Sequence, residues 1–197
     1  MKKIIVVTGG IGAGKSVVCS KLAKFGATVI EGDKAGHNCL KPDGAAYSEV
    51  VAEFGVGILN ADGTISRDKL GRIAFANREN LERLNSATHK HILREIVDSI
   101  DKIDGCGTIV LEIPLFRAVD FEYDASICVI ADEKLRVERI LERGGLTREV
   151  AEHIIAMQPT TEEYREFADY CIENDGDFEG LLRQVCEVYE NITKELI

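Results

Sequence analysis

The sequence predicts an α/β protein with a parallel sheet flanked by helices and interrupted by a helical insertion. Three observations carry that expectation. Short apolar runs rich in β-branched residues alternate with helical segments, the pattern of a sheet covered on both faces. The first run leads straight into Gly9-Gly10-Ile11-Gly12-Ala13-Gly14-Lys15-Ser16 and then into a helical segment. A long stretch, 35–103, has helical periodicity and no strand pattern.

Strands are expected at 4–7, 28–30, 108–113 (stopped by Pro114), 126–130 and 170–172. A helix over 17–25 offers Val17, Val18, Leu22 and Ala23 for burial. In the insertion, 45–54 is helical and Asn60-Ala61-Asp62-Gly63 is a turn. Ser66 caps a helix running to Phe75, and Asn77 caps another. Leu84, Ala87, His91, Ile92, Ile96 and Ile100 then recur at helical spacing over 81–103. Asp132 caps a helix over 133–143, and Gly144-Gly145 separates it from a helix over 146–157, a hinge suited to a mobile lid. The last helix, 178–196, has a core-packing stripe of Phe178, Leu181, Leu182, Val185, Val188, Tyr189 and Ile192. The expected organisation is therefore a nucleotide-binding core of 1–34 and 104–197 with a lid at about 139–165, and a helical substrate-side domain of 35–103.

The formal charge is −10, from 24 basic against 34 acidic side chains. That excess of negative charge argues against a nucleic-acid partner, while a local basic cluster can still bind a small anion. Cys19, Cys39, Cys106, Cys128, Cys171 and Cys186 are scattered without C-x-x-C or zinc spacing. They are expected as small hydrophobes in a reducing cytoplasm. No apolar stretch approaches a membrane span, and the chain opens on a strand rather than a signal segment. The oligomeric state is not legible.

Residues 9–16 fit G-x-x-x-x-G-K-[ST], in the strand–loop–helix context that the phosphate-cradling loop requires. Gly10, Gly12, Ala13, Gly14, Lys15, Ser16 and Val17 are the expected nucleotide contacts, through inward N–H groups and the helix N-terminus. Lys15 is placed to reach the outer phosphates of a nucleoside triphosphate and the Ser16 hydroxyl to bind Mg²⁺. A dinucleotide fingerprint fails on glycine spacing. The guanine motif N/T-K-x-D is absent. A small-molecule kinase on a P-loop kinase-type sheet is the expected class.

Asp33 follows the second strand, where a carboxylate can orient or deprotonate an attacking hydroxyl; helix capping is its bland role. Glu112 ends the third strand, and serves Mg²⁺ through water, contacts substrate, or is simply a solvated charge. Arg139, Arg143 and Arg148 flank the hinge, where guanidinium groups can neutralise a transferring phosphoryl group. Arg136 and Arg139 can instead pair with Glu133, Glu138 or Glu142 on an exposed face. Spacing gives no reason to make His89 or His91 a metal ligand.

With these residues in place, the chain resembles the dephospho-CoA kinases. The matching segments run from Val7 to Ser16, from Val29 to Asp33, and through Asp62-Gly63-Thr64-Ile65-Ser66-Arg67 with Leu70 and Ile73-Ala74-Phe75. They continue in His89, Glu112-Ile113-Pro114-Leu115, Arg143, Leu146-Thr147-Arg148-Glu149, Gln158, Arg165, Ala168-Asp169 and Ile172-Glu173-Asn174. The resemblance implies phosphorylation of the ribose 3′-hydroxyl of dephospho-CoA by ATP and Mg²⁺, the last step of coenzyme A biosynthesis. It makes Asp33 the catalytic acid, His89 a substrate-side histidine and Arg143 the lid arginine on ATP phosphates. The chain departs from the family pattern at Lys90, where proline is usual, at Arg117, where the family has an acid nearby, and at Ile154, where many members have arginine. The acceptor-side departures leave open a P-loop kinase for another nucleotide or nucleoside. A nucleotide-binding regulatory protein with little transfer activity is the reading from a different class.

Overall fold

A computed structural model describes residues 2–113 and 121–195. The elements in chain order are β1 (Lys2–Thr8), α1 (Lys15–Lys24), β2 (Thr28–Glu31), α2 (Gly32–Cys39), α3 (Tyr47–Phe54), α4 (Arg67–Ala74) and α5 (Arg78–Asp101). They continue with β3 (Gly107–Glu112), β4 (Ala125–Ile130), α6 (Glu133–Arg143), α7 (Arg148–Ala156), α8 (Thr161–Phe167), β5 (Tyr170–Glu173) and α9 (Phe178–Glu195). The strands form one sheet in the order β2-β3-β1-β4-β5, and every neighbouring pair is parallel. β1 is central. The chain leaves β1 for β2 on one side of it and later passes from β3 to β4 on the other, so the strand order reverses beside its carboxyl end. That is where open parallel sheets hold ligands.

The chain separates into two compact units, one of residues 1–31 and 104–197 and one of residues 32–103. In the first, alternate residues of the sheet meet α1 and α9: Ile5, Val7, Val110, Ile127, Val129 and Ile172 pack with Val18, Cys19, Leu22, Leu181, Val185 and Ile192. Val17 is 39% exposed and Ala23 is exposed as well, so the inward face of α1 is Val18, Cys19 and Leu22. Phe178, expected in the core stripe of α9, is 63% exposed at the first position of the helix; the stripe begins at Leu181. α8 packs Tyr164 on Cys128 and Ile130. Burial pushes the Tyr164 phenol up to about 12.

Side chains fix strand ends. The Asp169 carboxylate accepts from Ser126 N–H at 2.8 Å and from its hydroxyl at 2.6 Å, while Asp169 N–H donates back to Ser126 Oγ at 3.0 Å. This reciprocal staple ties the entry of β5 to β4. At the other end of β5, Gln184 of α9 donates Nε2–H to the Glu173 carbonyl at 2.8 Å and accepts Glu173 N–H at 2.9 Å.

In the second unit, α2, α3 and α4 all pack on the long α5. Cys39, Ala46, Val50, Ile58, Ile65 and Leu70 form its core. The expected caps are present: Ser66 Oγ accepts from Lys69 N–H and Asn77 Oδ1 from Asn80 N–H. Asp62-Gly63-Thr64 turns the chain, with Asp62 accepting from the backbone and hydroxyl of Thr64. α5 is cross-linked by Glu95, which accepts from Asn38 at 2.7 Å and from the Cys39 thiol at 3.2 Å. Burial and Glu95 push that thiol up to about 12. α2 and α8 are the helices whose short spans lacked a readable periodicity.

Candidate active site

The phosphate loop leaves β1 at Thr8 and enters α1 at Lys15. Its glycines are required by space as well as conformation. Gly9, at φ 141°, lies so close to the Val129 carbonyl that a Cβ would strike it. Gly12, at φ 78°, would place a Cβ 2.7 Å from the Arg136 carbonyl oxygen. Positive φ is strained for any residue with a side chain. What remains is a turn of bare backbone at the head of a helix, the cradle that a polyphosphate fits.

Lys15 Nζ donates to the carbonyls of Gly9 at 2.8 Å and Gly10 at 3.2 Å, which folds the ammonium back over the loop. The Ser16 hydroxyl donates to Glu112 Oε1 at 3.2 Å. The parallel register that sets Val7 beside Glu112 brings this acid to the loop. A hydroxyl and a carboxylate are hard oxygen donors of the kind Mg²⁺ takes beside substrate phosphates. Among the described residues no group of three or more His, Cys, Asp or Glu side chains is assembled to hold a metal on its own. Burial, with Glu112 nearby, raises the Cys19 thiol pKa far above its ordinary value. Cys19 is therefore a packed neutral side chain behind the loop.

Beneath the loop lies a brace that the sequence does not advertise. Arg136 is 7% exposed, and its Nε donates to the Ile11 carbonyl at 2.9 Å. Its NH2 group donates to Gln158 Oε1 at 2.8 Å, and the same oxygen accepts Ile11 N–H at 2.9 Å. Arg139 donates to the carbonyls of Asn174 at 2.8 Å and Gly12 at 3.4 Å. The buried Asn174 side chain donates to the Ala13 carbonyl at 2.8 Å. Pairing of Arg136 and Arg139 with glutamates on an exposed face is thereby corrected: both guanidinium groups serve backbone oxygens of the loop or its supports. Burial lowers the Arg136 pKa, and the group meets that cost with hydrogen bonds to fixed dipoles.

Arg143 ends α6, and Gly144 and Gly145 follow at φ 75° and 88°. Arg143 is exposed and makes no ion pair among the described residues. Arg148 opens α7 and stands 3.7 Å from Glu152. α7 packs Ala151 and Ile155 on Val137 and Ile140 of α6, with Ile11 of the loop against the same cluster.

A model of the dephospho-CoA kinase family matches residues 3–180. This chain belongs to that family. Its relatives include proteins named dephospho-CoA kinase from Carboxydothermus hydrogenoformans, 38% identical over 95% of this chain and 93% of the relative, and from Aquifex aeolicus, 35% identical over 98% and 99%. The solved structure of a dephospho-CoA kinase from Campylobacter jejuni aligns over 100% of both chains, with TM-score 0.67 and 26% identity. A shikimate kinase from Acinetobacter baumannii covers 99% of this chain and 95% of its own at TM-score 0.56 and 15% identity, a likeness of fold.

Asp169, Asn174 and Gln158 hold the sheet and the loop; Arg165 pairs with Glu173 at 2.6 Å. In the helical unit, Asp33 is the second residue of α2 and exposed, so it lies inside the helix rather than capping it. His89 sits on α5 with a buried Nε2 that has no hydrogen-bond partner among the described residues, and burial lowers its pKa from the ordinary 6.5. Lys90, where the family has proline, pairs with Glu49 at 2.8 Å, and His91 meets the other oxygen of Glu49 at 3.0 Å. The substitution is therefore absorbed by α3. Ile154 is buried in α7. Pro114, Leu115, Phe116 and Arg117 lie outside the described residues.

Proposed function

We propose that this chain transfers the γ-phosphoryl group of ATP to the ribose 3′-hydroxyl of dephospho-CoA, giving CoA and ADP. The observation that carries the reading is the bare-backbone phosphate loop with Lys15 folded over it and Ser16 set against Glu112, in a dephospho-CoA kinase family chain. The unit 1–31 with 104–197 is the nucleotide-binding core, and 32–103 is the acceptor-side unit.

The amides of residues 10–17 hold the β- and γ-phosphates. Lys15 exchanges the Gly9 and Gly10 carbonyls for phosphate oxygens, a charge-assisted contact that strengthens as charge spreads in transfer. Arg143 and Arg148 supply further positive charge from beside the Gly144-Gly145 hinge, within a lid of about 139–165 whose ends stay tied to the core through Arg139, Gln158 and Tyr164. Asp33 orients the 3′-hydroxyl and takes its proton as O3′ bonds to the γ-phosphorus and the bond to the β–γ bridging oxygen breaks. His89, kept neutral by burial, is a substrate-side residue of the acceptor unit. Ser16 and Glu112 are the residues that hold Mg²⁺, which when bound neutralises charge on the β- and γ-phosphates. Among the described residues no helix is long and apolar enough to cross a membrane, in keeping with a cytoplasmic enzyme of small-molecule metabolism.

Incubation of the purified protein with Mg·ATP, with and without dephospho-CoA, tests the assignment. ADP release that requires dephospho-CoA and yields CoA by mass is expected. ATP binding without CoA formation would sink it.

A further inference from the structure

β5 borders the sheet, and its Cys171 stands in register with Cys128 of β4. Paired residues of neighbouring parallel strands point to the same face, here the face that α8 covers. The two sulfurs hydrogen-bond each other there, and both are free thiols. The other four cysteines sit on α1, α2 and α9 and just before β3, none of them within a strand. Cys128 is fully buried in the cluster with Ile130 and Tyr164, whereas Cys171 is half-buried at the sheet border. Arg165 of α8 brings its guanidinium to the same pair, while its NH2 group donates to Glu173 Oε1 at 2.6 Å. A cation beside a thiol favours the thiolate, the form that reacts. Burial, with Cys171 against it, pushes the Cys128 thiol up. The inner sulfur is therefore held protonated, and the outer one meets an oxidant first.

We propose that Cys128 and Cys171 form a reversible oxidation site, closed to a disulfide by hydrogen peroxide, and that closure loosens the phosphate loop. Cys171 gives up its thiol proton and its sulfur attacks one peroxide oxygen. The S–O bond forms, the O–O bond breaks, and the departing hydroxide takes a proton to leave as water, with Cys171 as the sulfenic acid. The Cys128 sulfur then attacks that of Cys171. The S–S bond forms, the S–O bond breaks, and the departing hydroxide carries off the Cys128 proton as a second water. Two thiols lose two electrons in all, and the peroxide gains them. A dithiol reductant reverses the change, so in a reducing compartment the bond is transient. Strand spacing makes the bond reachable and gives it mechanical effect. Neighbouring strands lie about 4.8 Å apart, inside the roughly 4.4–6.8 Å Cα separation of disulfides. The Cβ atoms must come to about 3.8 Å, so closure draws β5 toward β4 by about 1 Å. Three residues beyond Cys171 is Asn174. Its N–H donates to the Ile130 carbonyl at 2.9 Å, its carbonyl accepts from Arg139 at 2.8 Å, and its side chain holds the Ala13 carbonyl at 2.8 Å. Asn174 is packed so close to Gly14 that a Cβ there would strike it. A prop without slack passes the movement of β5 to the loop. The effect rests on the loop holding ATP, whatever the acceptor.

Treatment of the whole reduced protein with hydrogen peroxide, followed by mass measurement and calorimetry with ATP, tests the proposal without requiring turnover. A loss of two hydrogens is expected, with a cross-linked peptide joining Cys128 to Cys171. ATP affinity should fall about three- to tenfold, the scale of one lost neutral hydrogen bond. Dithiothreitol should restore both. Reduced Cys171→Ser should bind ATP as the wild type does and keep that affinity after peroxide. Cys128→Ala should behave alike from the buried side. Absence of the bridged peptide overturns the site. A bridged protein with unchanged ATP affinity overturns its link to the loop. An equal loss of affinity in peroxide-treated Cys171→Ser also overturns it, because the lesion then lies elsewhere. Turnover of dephospho-CoA by the reduced protein decides the kinase assignment separately and leaves this result untouched.

Discussion

Gln158 Oε1 accepts two hydrogen bonds at once, from Arg136 NH2 at 2.8 Å and from Ile11 N–H at 2.9 Å. One side-chain oxygen just past α7 thereby holds the phosphate loop and the buried arginine beneath it. The shape of the cradle depends on residues that never need to touch a phosphate.

Arg136→Met should expose that dependence. It takes the guanidinium donor from the Ile11 carbonyl and leaves Gln158 Oε1 with the Ile11 N–H alone, at a cost of roughly 1.5–3 kcal/mol for lost bonds to a charged group. A lowered Tm together with a raised KM for ATP is expected. Gln158→Leu should raise the KM for ATP with a smaller fall in Tm, and Gln158→Glu, which keeps an acceptor oxygen, should recover most of the loss. Equal KM values in the Leu and Glu variants would rule out the positioning role.

Lys15→Ala removes the only lysine of the loop. We expect a fall in kcat of about 10²–10³, the scale for one lost transition-state donor. Tm should hardly move, because Lys15 makes its two loop hydrogen bonds from a partly buried position with water at hand. Steady-state kinetics beside a melting curve checks both halves.

Asp33→Asn keeps the size of the side chain and its place in the first turn of α2. Loss of a general base costs about 10²–10⁴ in rate. ATP affinity should be retained. Near wild-type turnover in this variant would remove Asp33 from the chemistry.

His89 gives a pH signature. Burial lowers its pKa in the fold below the ordinary 6.5, so below pH 6.5 the unfolded chain binds more protons at this site. The group's contribution to stability is present above 6.5 and is lost as pH falls through the lowered folded value. His89→Gln should therefore lose less Tm than wild type between pH 7.5 and pH 5. Parallel Tm profiles would mean that the imidazole titrates alike in both states.

The sheet was legible because each strand is a short β-branched run closed by a turn or a proline, and all five expected runs lie within the observed strands except that the expected third ended at Ile113, one residue past β3. The loop was legible because its chemistry needs fixed glycine spacing. Ser66, Asn77 and Asp132 announced their helices by capping. Other features had no local signal. Arg136 sits among glutamates in sequence, and only the long-range approach of Ile11 and Gln158 reveals a buried guanidinium. Val17 and Phe178 are apolar at helical spacing, yet they stand where each helix begins and the core does not reach. Gln184 looks like any polar residue on an exposed helix face; its pairing with Glu173 is tertiary.

That last pairing has a consequence for how the molecule behaves in company. β5 is a terminal strand of the sheet, and along its four residues only alternate peptides point outward. Glu173 is one of these, and Gln184 already occupies both its donor and its acceptor. A foreign strand sliding along this border meets a side-chain amide in the place of an open rung, so sheet extension past the carboxyl end of β5 is discouraged.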